Sequence, residues 1–151
     1  MNLVTINDPD AISAILNSSK NIAVVGLSPK QHRASYMVAA YMQAYGYRII
    51  PVNPVYAGDM ILGELCYPDL IEAAVVNSID IVDCFRNADD IPPIAEQAKT
   101  ISAPCLWMQS GIVNANIAAE LQAAGMFVVM DRCLKIEHQI RHSHHADKLS
   151  G

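Results

Sequence analysis

The sequence contains little charge, and most of that charge is negative. Charged residues make up 17% of the chain and give a formal net charge of -5. Contact with nucleic-acid phosphates needs clustered Lys and Arg, so this composition argues against a nucleic-acid partner. A small anionic ligand needs only a local group of donors and remains compatible with the net charge.

Long apolar runs and paired cysteines are also absent. No apolar stretch approaches the ~20 residues that span a bilayer, and no basic segment followed by an apolar run opens the chain. The four cysteines are far apart and form no C-x-x-C pair, which is typical of reduced thiols rather than of a disulfide framework. We therefore expect a soluble, cytoplasmic protein without membrane contact.

Hydrophobic residues, at 52% of the chain, are abundant enough to fill a globular core. A chain of this length buries roughly 70% of its unfolded surface as one ordinary domain. We find neither a linker nor a repeat of fixed period. The sequence predicts a single domain over residues 1–151, with its core at about 20–138 and a C-terminal helix at about 134–146.

Short apolar runs alternate with helical patterns along the chain. The runs predict five strands, at residues 22–26, 47–52, 79–85, 104–108 and 126–130. They lack polar alternation, which is typical of parallel strands buried on both faces. The alternation predicts right-handed β-α-β units and a parallel sheet covered by helices on both sides.

Positive charge is concentrated just after the predicted strands. In an open parallel sheet, ligands bind beyond the carboxyl ends of the strands, where the strand order reverses. Half of the basic residues follow strands in this way: Lys30, Arg33, Arg86, Arg132 and Lys135. The loop 26–35 also leads into a helix, whose first N–H groups favour phosphate. We therefore expect an anion site there, although ordinary solvated loop charges remain an alternative.

The usual dinucleotide fingerprint is incomplete in this loop. The pattern G-x-G-x-x-G needs three glycines, but Ser28 and Gln31 stand where the second and third glycines would follow Gly26. Asn53 follows the second strand, in place of the acidic residue that binds a ribose hydroxyl. The sequence thus indicates a phosphate-bearing ligand and argues against ordinary NAD chemistry.

Six short blocks, in a fixed order, resemble one known family. They are Val25-Gly26-Leu27-Ser28-Pro29, Arg33-x-Ser35-Tyr36, Tyr47-Arg48-Ile49-Ile50-Pro51-Val52-Asn53-Pro54, Asp83-x-Phe85-Arg86, Trp107-x-Gln109-x-Gly111-Ile112 and Met130-Asp131-Arg132-Cys133-x-Lys135-Ile136-Glu137-His138. Together they resemble the stand-alone CoA-binding proteins, which are relatives of the N-terminal domain of the succinyl-CoA synthetase alpha subunit. The resemblance covers residues 22–138. It implies a Rossmann-like sheet with strand order 3-2-1-4-5 and coenzyme A lying across the strand ends.

The resemblance also implies which residues contact coenzyme A. Lys30 and Arg33 are assigned to phosphate charge, Ser28 and Ser35 act as donors, and Arg86 is a second anion contact. The full expected set is Gly26, Leu27, Ser28, Lys30, Arg33, Ser35, Asn53, Pro54, Tyr56, Phe85, Arg86, Gln109 and Gly111. No catalytic or metal-binding residue is assigned.

Several functions remain open on the sequence. The synthetase alpha subunit has a second domain with a phosphorylated histidine, and this chain ends before any such domain. We expect a carrier, sensor or regulatory module that binds coenzyme A or an acyl-CoA without catalysis of its own, with a protein partner possible. The alternatives are a subunit of an acyl-CoA synthetase, a degenerate NAD(P)-binding oxidoreductase, and an interaction domain with a vestigial nucleotide site.

A few further residues suggest chemistry but have simpler interpretations. Cys84 and Cys133 follow strands near the expected site, and a mixed disulfide with the coenzyme A thiol is conceivable. We interpret both as small buried hydrophobes, because free cysteine is among the most buried residue types. Trp107 and Phe85 are interpreted as core residues. The histidines from His138 to His145 are interpreted as part of a solvated terminal helix.

Overall fold

A computed structural model describes residues 4–150, with side chains described through residue 143. Five parallel strands form the main sheet: β1 (Asn21–Val25), β2 (Arg48–Val52), β5 (Ile81–Cys84), β6 (Cys105–Met108) and β7 (Phe127–Val129). Two further strands, β3 (Met60–Ile61) and β4 (Glu64–Leu65), pair as a short antiparallel hairpin. The predicted fold class, a Rossmann-like parallel sheet of five strands, is confirmed.

The strand order differs from the order that the resemblance implied. The observed order is β2-β1-β5-β6-β7, so the five predicted strands lie as 2-1-3-4-5 and not as 3-2-1-4-5. The third predicted strand is β5, which pairs with β1 through Ile22 and Ile81. The Asp80 carboxylate accepts hydrogen bonds from the backbone N–H groups of Lys20 and Asn21, and this contact fixes the start of β5 beside β1.

Both edge strands of the sheet are partly covered by other segments of the chain. Outside β2, Tyr67 forms an isolated parallel bridge with Val52, and the hairpin β3–β4 lies beside the same strand. At the other edge, Asn7 donates its backbone N–H to Val128 and exchanges two side-chain hydrogen bonds with the backbone of Met130. Segments outside the five main strands thus cover part of both edges.

Within residues 4–150, six α-helices cover the two faces of the sheet. One face carries α1 (Pro9–Ser18), α2 (Ala34–Ala44) and α6 (Leu134–Ser150), and the other carries α3 (Leu70–Val76), α4 (Ile91–Thr100) and α5 (Ala115–Ala123). Alternate strand residues point to opposite faces, so each strand contributes to both apolar layers. In β1, for example, Val24 packs on the α2 side and Ala23 packs on the α4 side.

Local sequence determines where several helices begin and end. Asp8, Asp69 and Asn114 accept hydrogen bonds from backbone N–H groups in the first turns of α1, α3 and α5. Gly46 and Gly125 follow α2 and α5 with φ of 97° and 90°, a conformation that suits glycine at a helix end. No helix in the described part of the chain is both long and apolar enough to cross a lipid bilayer.

Candidate functional site

The strand order creates a crevice at the carboxyl ends of β1 and β5. The chain runs from β1 outward to β2 on one side, whereas β5 pairs with β1 on the other side. The loops that leave β1 and β5 therefore diverge, and the space between them is the position where open parallel sheets bind ligands. Two adjoining cavities lie here.

The first cavity, which we call the phosphate pocket, has a volume of about 430 Å³. It is lined by Gly26, Ser28, Lys30, Arg33, Ala34, Ser35, Asn53, Val55, Tyr56, Phe85 and Arg86. Nine of the thirteen residues expected from the sequence belong to this lining. Residues from three separate loops, after β1, β2 and β5, thus meet in one pocket.

Three cations contribute to the phosphate pocket without a carboxylate partner. Among the described residues, no Asp or Glu side chain lies within ion-pair distance of Lys30, Arg33 or Arg86. Arg86 donates one hydrogen bond from Nη2 to Asn53, at 3.1 Å, so its charge is positioned but not neutralised. The pocket therefore concentrates positive charge in a protein that is acidic overall.

The N-terminus of α2 adds backbone donors to the same pocket. Arg33 occupies the N-cap position and makes no side-chain capping bond, and Ala34 and Ser35 of the first turn line the pocket. The first N–H groups of a helix have no intrahelical acceptor and carry partial positive charge. This arrangement is favourable for a phosphate.

Two serine hydroxyls hold the loop after β1 in shape. The Ser35 hydroxyl accepts a hydrogen bond from the Ser28 backbone N–H, and the Ser28 hydroxyl accepts one from the Lys30 N–H, both at 3.1 Å. A hydroxyl that accepts in this way keeps its own hydrogen for another acceptor. Both serines can therefore shape the loop and donate to a ligand.

Asn53 links the three loops of the pocket. Its side chain is 4% exposed and donates from Nδ2 to the Leu27 carbonyl at 3.0 Å. Its Oδ1 accepts from the Val55 N–H and from Arg86. Dinucleotide-binding domains usually have an acidic residue at this position, whereas Asn53 is neutral. The neighbouring cations are therefore not neutralised by it and remain available to an anion.

Gly26 is required where the β1 loop crosses the end of β5. Its φ is 89°, and a Cβ at this position would lie 3.0 Å from the Phe85 carbonyl oxygen and 3.1 Å from Arg86 Nε. A side chain here would be strained by the positive φ, and its neighbours would have to move by a few tenths of an ångström. Gly26, the one glycine of the incomplete fingerprint, thus allows the loop after β1 to lie close to the loop after β5.

The second cavity, which we call the inner pocket, has a volume of about 240 Å³. It shares Ala34, Phe85 and Arg86 with the phosphate pocket and is otherwise lined by Val38, Asn87, Gln109, Ser110, Ile112 and Cys133. Gln109 is the one residue of the expected set that lines this pocket alone. The two cavities adjoin through their shared residues.

Behind the inner pocket, Gln109 bonds to a buried acid. Its Nε2 donates to Asp83 Oδ1 at 2.7 Å, and Asp83 is fully buried. Burial raises the pKa of Asp83 from an ordinary 3.8 to about 7, and the hydrogen bond from Gln109 opposes this shift. Asp83 Oδ2 is buried without a hydrogen-bond partner among the described residues.

Three expected contact residues line neither pocket. Leu27 is fully buried in the core, although its carbonyl accepts from Asn53. Pro54 opens a short 3-10 turn (Pro54–Tyr56) and is exposed. Gly111 donates its N–H to the Asp131 carboxylate at 2.7 Å and lies outside both linings.

Other residues singled out in the sequence have definite positions. Trp107 is fully buried and donates from Nε1 to the Arg132 carbonyl, which agrees with its interpretation as core. Phe85 is only partly buried, because it lines both pockets. His138 and His142 stack on each other and contact Tyr45 of the segment after α2. The side chains of His144 and His145 lie outside the described residues.

Sequence reasoning identified only part of the inner pocket. Cys84 is buried as expected, but Cys133 is partly exposed and lines that pocket. Val38 also lines it, and nothing in its sequence context distinguishes it from a core residue. Ile112 lines it as well and belongs to one of the six family blocks. The acid Asp83 near the end of the third apolar run, together with a glutamine directly after the fourth run, was an available signal for the Asp83–Gln109 pair.

An open parallel sheet covered by helices on both faces, with a cation-lined pocket at its switch point, defines a Rossmann-like domain. The family model described as CoA binding domain matches residues 20–139. The chain therefore belongs to the CoA-binding domain family, as the resemblance indicated.

The chain is similar to other proteins over most of its length. The uncharacterized protein YneT of Bacillus subtilis (strain 168) is 43% identical over 129 residues, which cover 85% of this chain and 93% of that protein. A solved structure from Thermus thermophilus is 31% identical, covers 87% of this chain and 97% of its own, and superposes with a TM-score of 0.81. A hypothetical protein from Pyrococcus horikoshii OT3 is 32% identical, with coverages of 92% and 97% and a TM-score of 0.82.

A more distant likeness concerns the fold alone. The Rex-family repressor RSP, solved in complex with β-NADH, is 14% identical and superposes with a TM-score of 0.55. The chain covers 64% of that protein. This likeness therefore shows a shared parallel-sheet architecture.

Proposed function

We propose that this protein binds coenzyme A, free or acylated, in the crevice formed by the phosphate pocket and the inner pocket. The observation that carries the proposal is the group of three cations, Lys30, Arg33 and Arg86, which no described carboxylate neutralises. Family membership supports coenzyme A as the source of the phosphates.

The two pockets differ in a way that suits the two ends of this ligand. The phosphate pocket provides cations, hydroxyls and the first turn of α2, which are suited to phosphate oxygens. The inner pocket provides apolar side chains together with Gln109 and Ser110, which are suited to a chain of methylenes and amides. We assign the nucleotide phosphates to the first and the pantetheine arm to the second.

We further propose that the protein acts as a carrier, sensor or regulatory module. The groups that line both pockets bind anions and amides. The described histidines that cluster, His138 and His142, pack instead against α2 and Tyr45, outside both linings. An enzymatic role in thioester formation would require groups from a partner.

A side-by-side titration with coenzyme A, acetyl-CoA, NAD and ATP tests the proposal. A ligand that binds only the folded state stabilises it by about 2.7 kcal/mol when present at a hundredfold excess over its Kd. We expect saturable binding and thermal stabilisation by coenzyme A, measured by calorimetry and thermal shift. Absence of any response to coenzyme A, or equal affinity for NAD, would contradict the proposal.

A further inference from the structure

One of the residues that line the inner pocket is a cysteine, Cys133. Cys133 lies between β7 and α6, is partly exposed, and lines the inner pocket together with Gln109 and Ile112. The other three cysteines, Cys66, Cys84 and Cys105, are buried. Burial also raises the pKa of the Cys84 thiol well above its ordinary value, which suppresses its reactivity. Cys133 is therefore the cysteine that a ligand in the crevice can reach.

A buried polar group in the same pocket points to a ligand. Gln109 is 4% exposed, and its Nε2 is engaged by Asp83. Among the described residues, nothing donates a hydrogen bond to its amide oxygen, and this oxygen is not one of the fully buried unpartnered atoms. Because Gln109 lines the inner pocket, the oxygen is free to accept a hydrogen bond from a ligand there. An amide N–H of a bound pantetheine arm would supply that donor.

We propose that Cys133 forms a mixed disulfide with the thiol of coenzyme A bound in this crevice. The inference rests on the proposed function, since the phosphate pocket must hold the ligand for its thiol end to enter the adjoining inner pocket. It assigns a covalent and reversible step to a protein whose pockets are otherwise suited only to binding.

The reaction is a thiol–disulfide exchange with a coenzyme A disulfide as co-reactant. The Cys133 thiolate attacks one sulfur of that disulfide, a bond forms between Sγ and this sulfur, and the original S–S bond breaks. The second coenzyme A leaves as a thiolate and takes a proton from water. Cys133 is oxidised to the disulfide level and one coenzyme A is reduced. A small thiol reverses the step by the same exchange.

The test is the reaction of the reduced, full-length protein with coenzyme A disulfide, followed by intact-mass analysis without reductant and by peptide mapping. We expect one adduct per chain, located at Cys133 and removed by dithiothreitol. Its rate should increase with pH, because the thiolate is the attacking species. Cys133→Ser should form no adduct, whereas Cys105→Ala, which changes a cysteine at the opposite end of β6, should still form it.

Glutathione disulfide, which lacks the nucleotide, shows whether the pocket guides the reaction. We expect coenzyme A disulfide to react on the order of tenfold faster or more, the factor that corresponds to about 1.4 kcal/mol of binding. Arg33→Ala should remove this advantage. Equal rates for both disulfides, an adduct at another cysteine, or no adduct would each overturn the inference.

A separate measurement distinguishes failure of the mixed-disulfide inference from failure of the proposed coenzyme A binding. Calorimetry with reduced coenzyme A in the presence of reductant reports binding without disulfide chemistry. Saturable binding there, combined with no adduct in the exchange experiment, would reject the mixed disulfide and leave the binding function intact. Absence of both would reject both.

Discussion

Single side chains in this protein combine structural and ligand-binding demands. Arg86 extends into the crevice, bonds to Asn53, and lines both pockets. Asp83 lies beneath the same crevice in full burial, with one oxygen bonded to Gln109 and the other without a partner. A charged group without full hydrogen bonding is costly in the interior, so the ionisation of Asp83 should have a measurable effect on stability.

Replacing Arg33 with alanine should weaken coenzyme A binding. Charge-assisted hydrogen bonds to phosphate contribute about 1.5–3 kcal/mol, so the Kd should rise by roughly ten- to a hundredfold. Arg33 is exposed and makes no side-chain capping bond, so the fold should be retained. Calorimetry of Arg33→Ala measures the effect.

Arg48→Ala is a matched control, because Arg48 is an exposed arginine at the amino end of β2. This variant should leave the Kd unchanged. An unaltered Kd in the Arg33 variant would remove this loop from the phosphate contact.

Asp83 should make the folded state less stable as pH rises. Its folded pKa is about 7 and its ordinary value is 3.8. Between these values the unfolded chain releases the proton while the folded chain retains it, so the free energy of unfolding falls as pH increases from about 4 to 7. The shift of roughly three pKa units corresponds to a loss of up to about 4 kcal/mol.

The variant Asp83→Asn should lack this part of the pH dependence. Its amide oxygen can still accept the hydrogen bond from Gln109, so the packing is largely preserved. Chemical unfolding of both proteins at several pH values between about 4.5 and 8 measures the difference, with Asp89→Asn as a control at an exposed position. Parallel pH profiles for wild type and Asp83→Asn would show that Asp83 ionises normally.

At the scale of elements, the site depends on the loop between β1 and α2 lying against the end of β5. Gly26 donates its N–H to the Val52 carbonyl, and the Phe85 N–H bonds to Val25. The three strand ends are therefore joined directly around the residues that line the phosphate pocket. The first turn of α2 starts from this junction, so a displacement of the loop moves the donors of the pocket.

Gly26→Ala should disturb this junction more than an equivalent change elsewhere. A non-glycine residue with positive φ costs roughly 1–2 kcal/mol, and at Gly26 the added Cβ also meets the Phe85 carbonyl oxygen at 3.0 Å. Gly58→Ala is the matched control, since Gly58 has φ of 92° and nothing within 4 Å of an added Cβ. We expect both variants to lose stability in denaturant unfolding and only Gly26→Ala to lose coenzyme A affinity in addition. Equal losses of stability with unchanged affinity would show that the close approach at Gly26 is unimportant for the site.

The elements were easier to predict than their arrangement. Four of the five main strands fall within the runs expected from hydrophobicity, and β1 begins one residue before its run. Burial on both faces leaves this local signal in the sequence. The order of the strands is not local: it depends on contacts such as Asp80 with Lys20 and Asn21, which are about 60 positions apart in the chain. Cys133 faces the inner pocket for a similar reason, since its position depends on how α6 packs against α2.

At the scale of the whole molecule, the residues proposed to contact the ligand are concentrated at one end of the sheet. The phosphate pocket and the inner pocket lie at the carboxyl ends of the strands, and a separate cavity lined by Lys99, Ser102, Pro104 and Gly125 lies at the amino ends of β6 and β7. The cavity at the amino ends provides one lysine, whereas the phosphate pocket provides three cations. The protein is thus asymmetric along the strand direction.

Hydrogen exchange should report this asymmetry when coenzyme A binds. We expect slower amide exchange in the three segments that form the phosphate pocket, around residues 26–35, 53–56 and 85–87, because bound ligand reduces local opening. Amides around Ser102 and Gly125 should be protected no more than global stabilisation requires. Preferential protection at the amino ends of the strands would place the ligand on the wrong side of the sheet.

The coverage of both sheet edges limits how this protein can associate with others. An open edge strand offers unpaired N–H and C=O groups that recruit another chain by strand addition. Here Pro51 removes one donor from β2, Tyr67 occupies part of its outer side, and Asn7 engages the backbone beyond β7. A regulatory partner should therefore recognise helix surfaces or the loops around the crevice, where the presence of ligand can alter the surface that the partner reads.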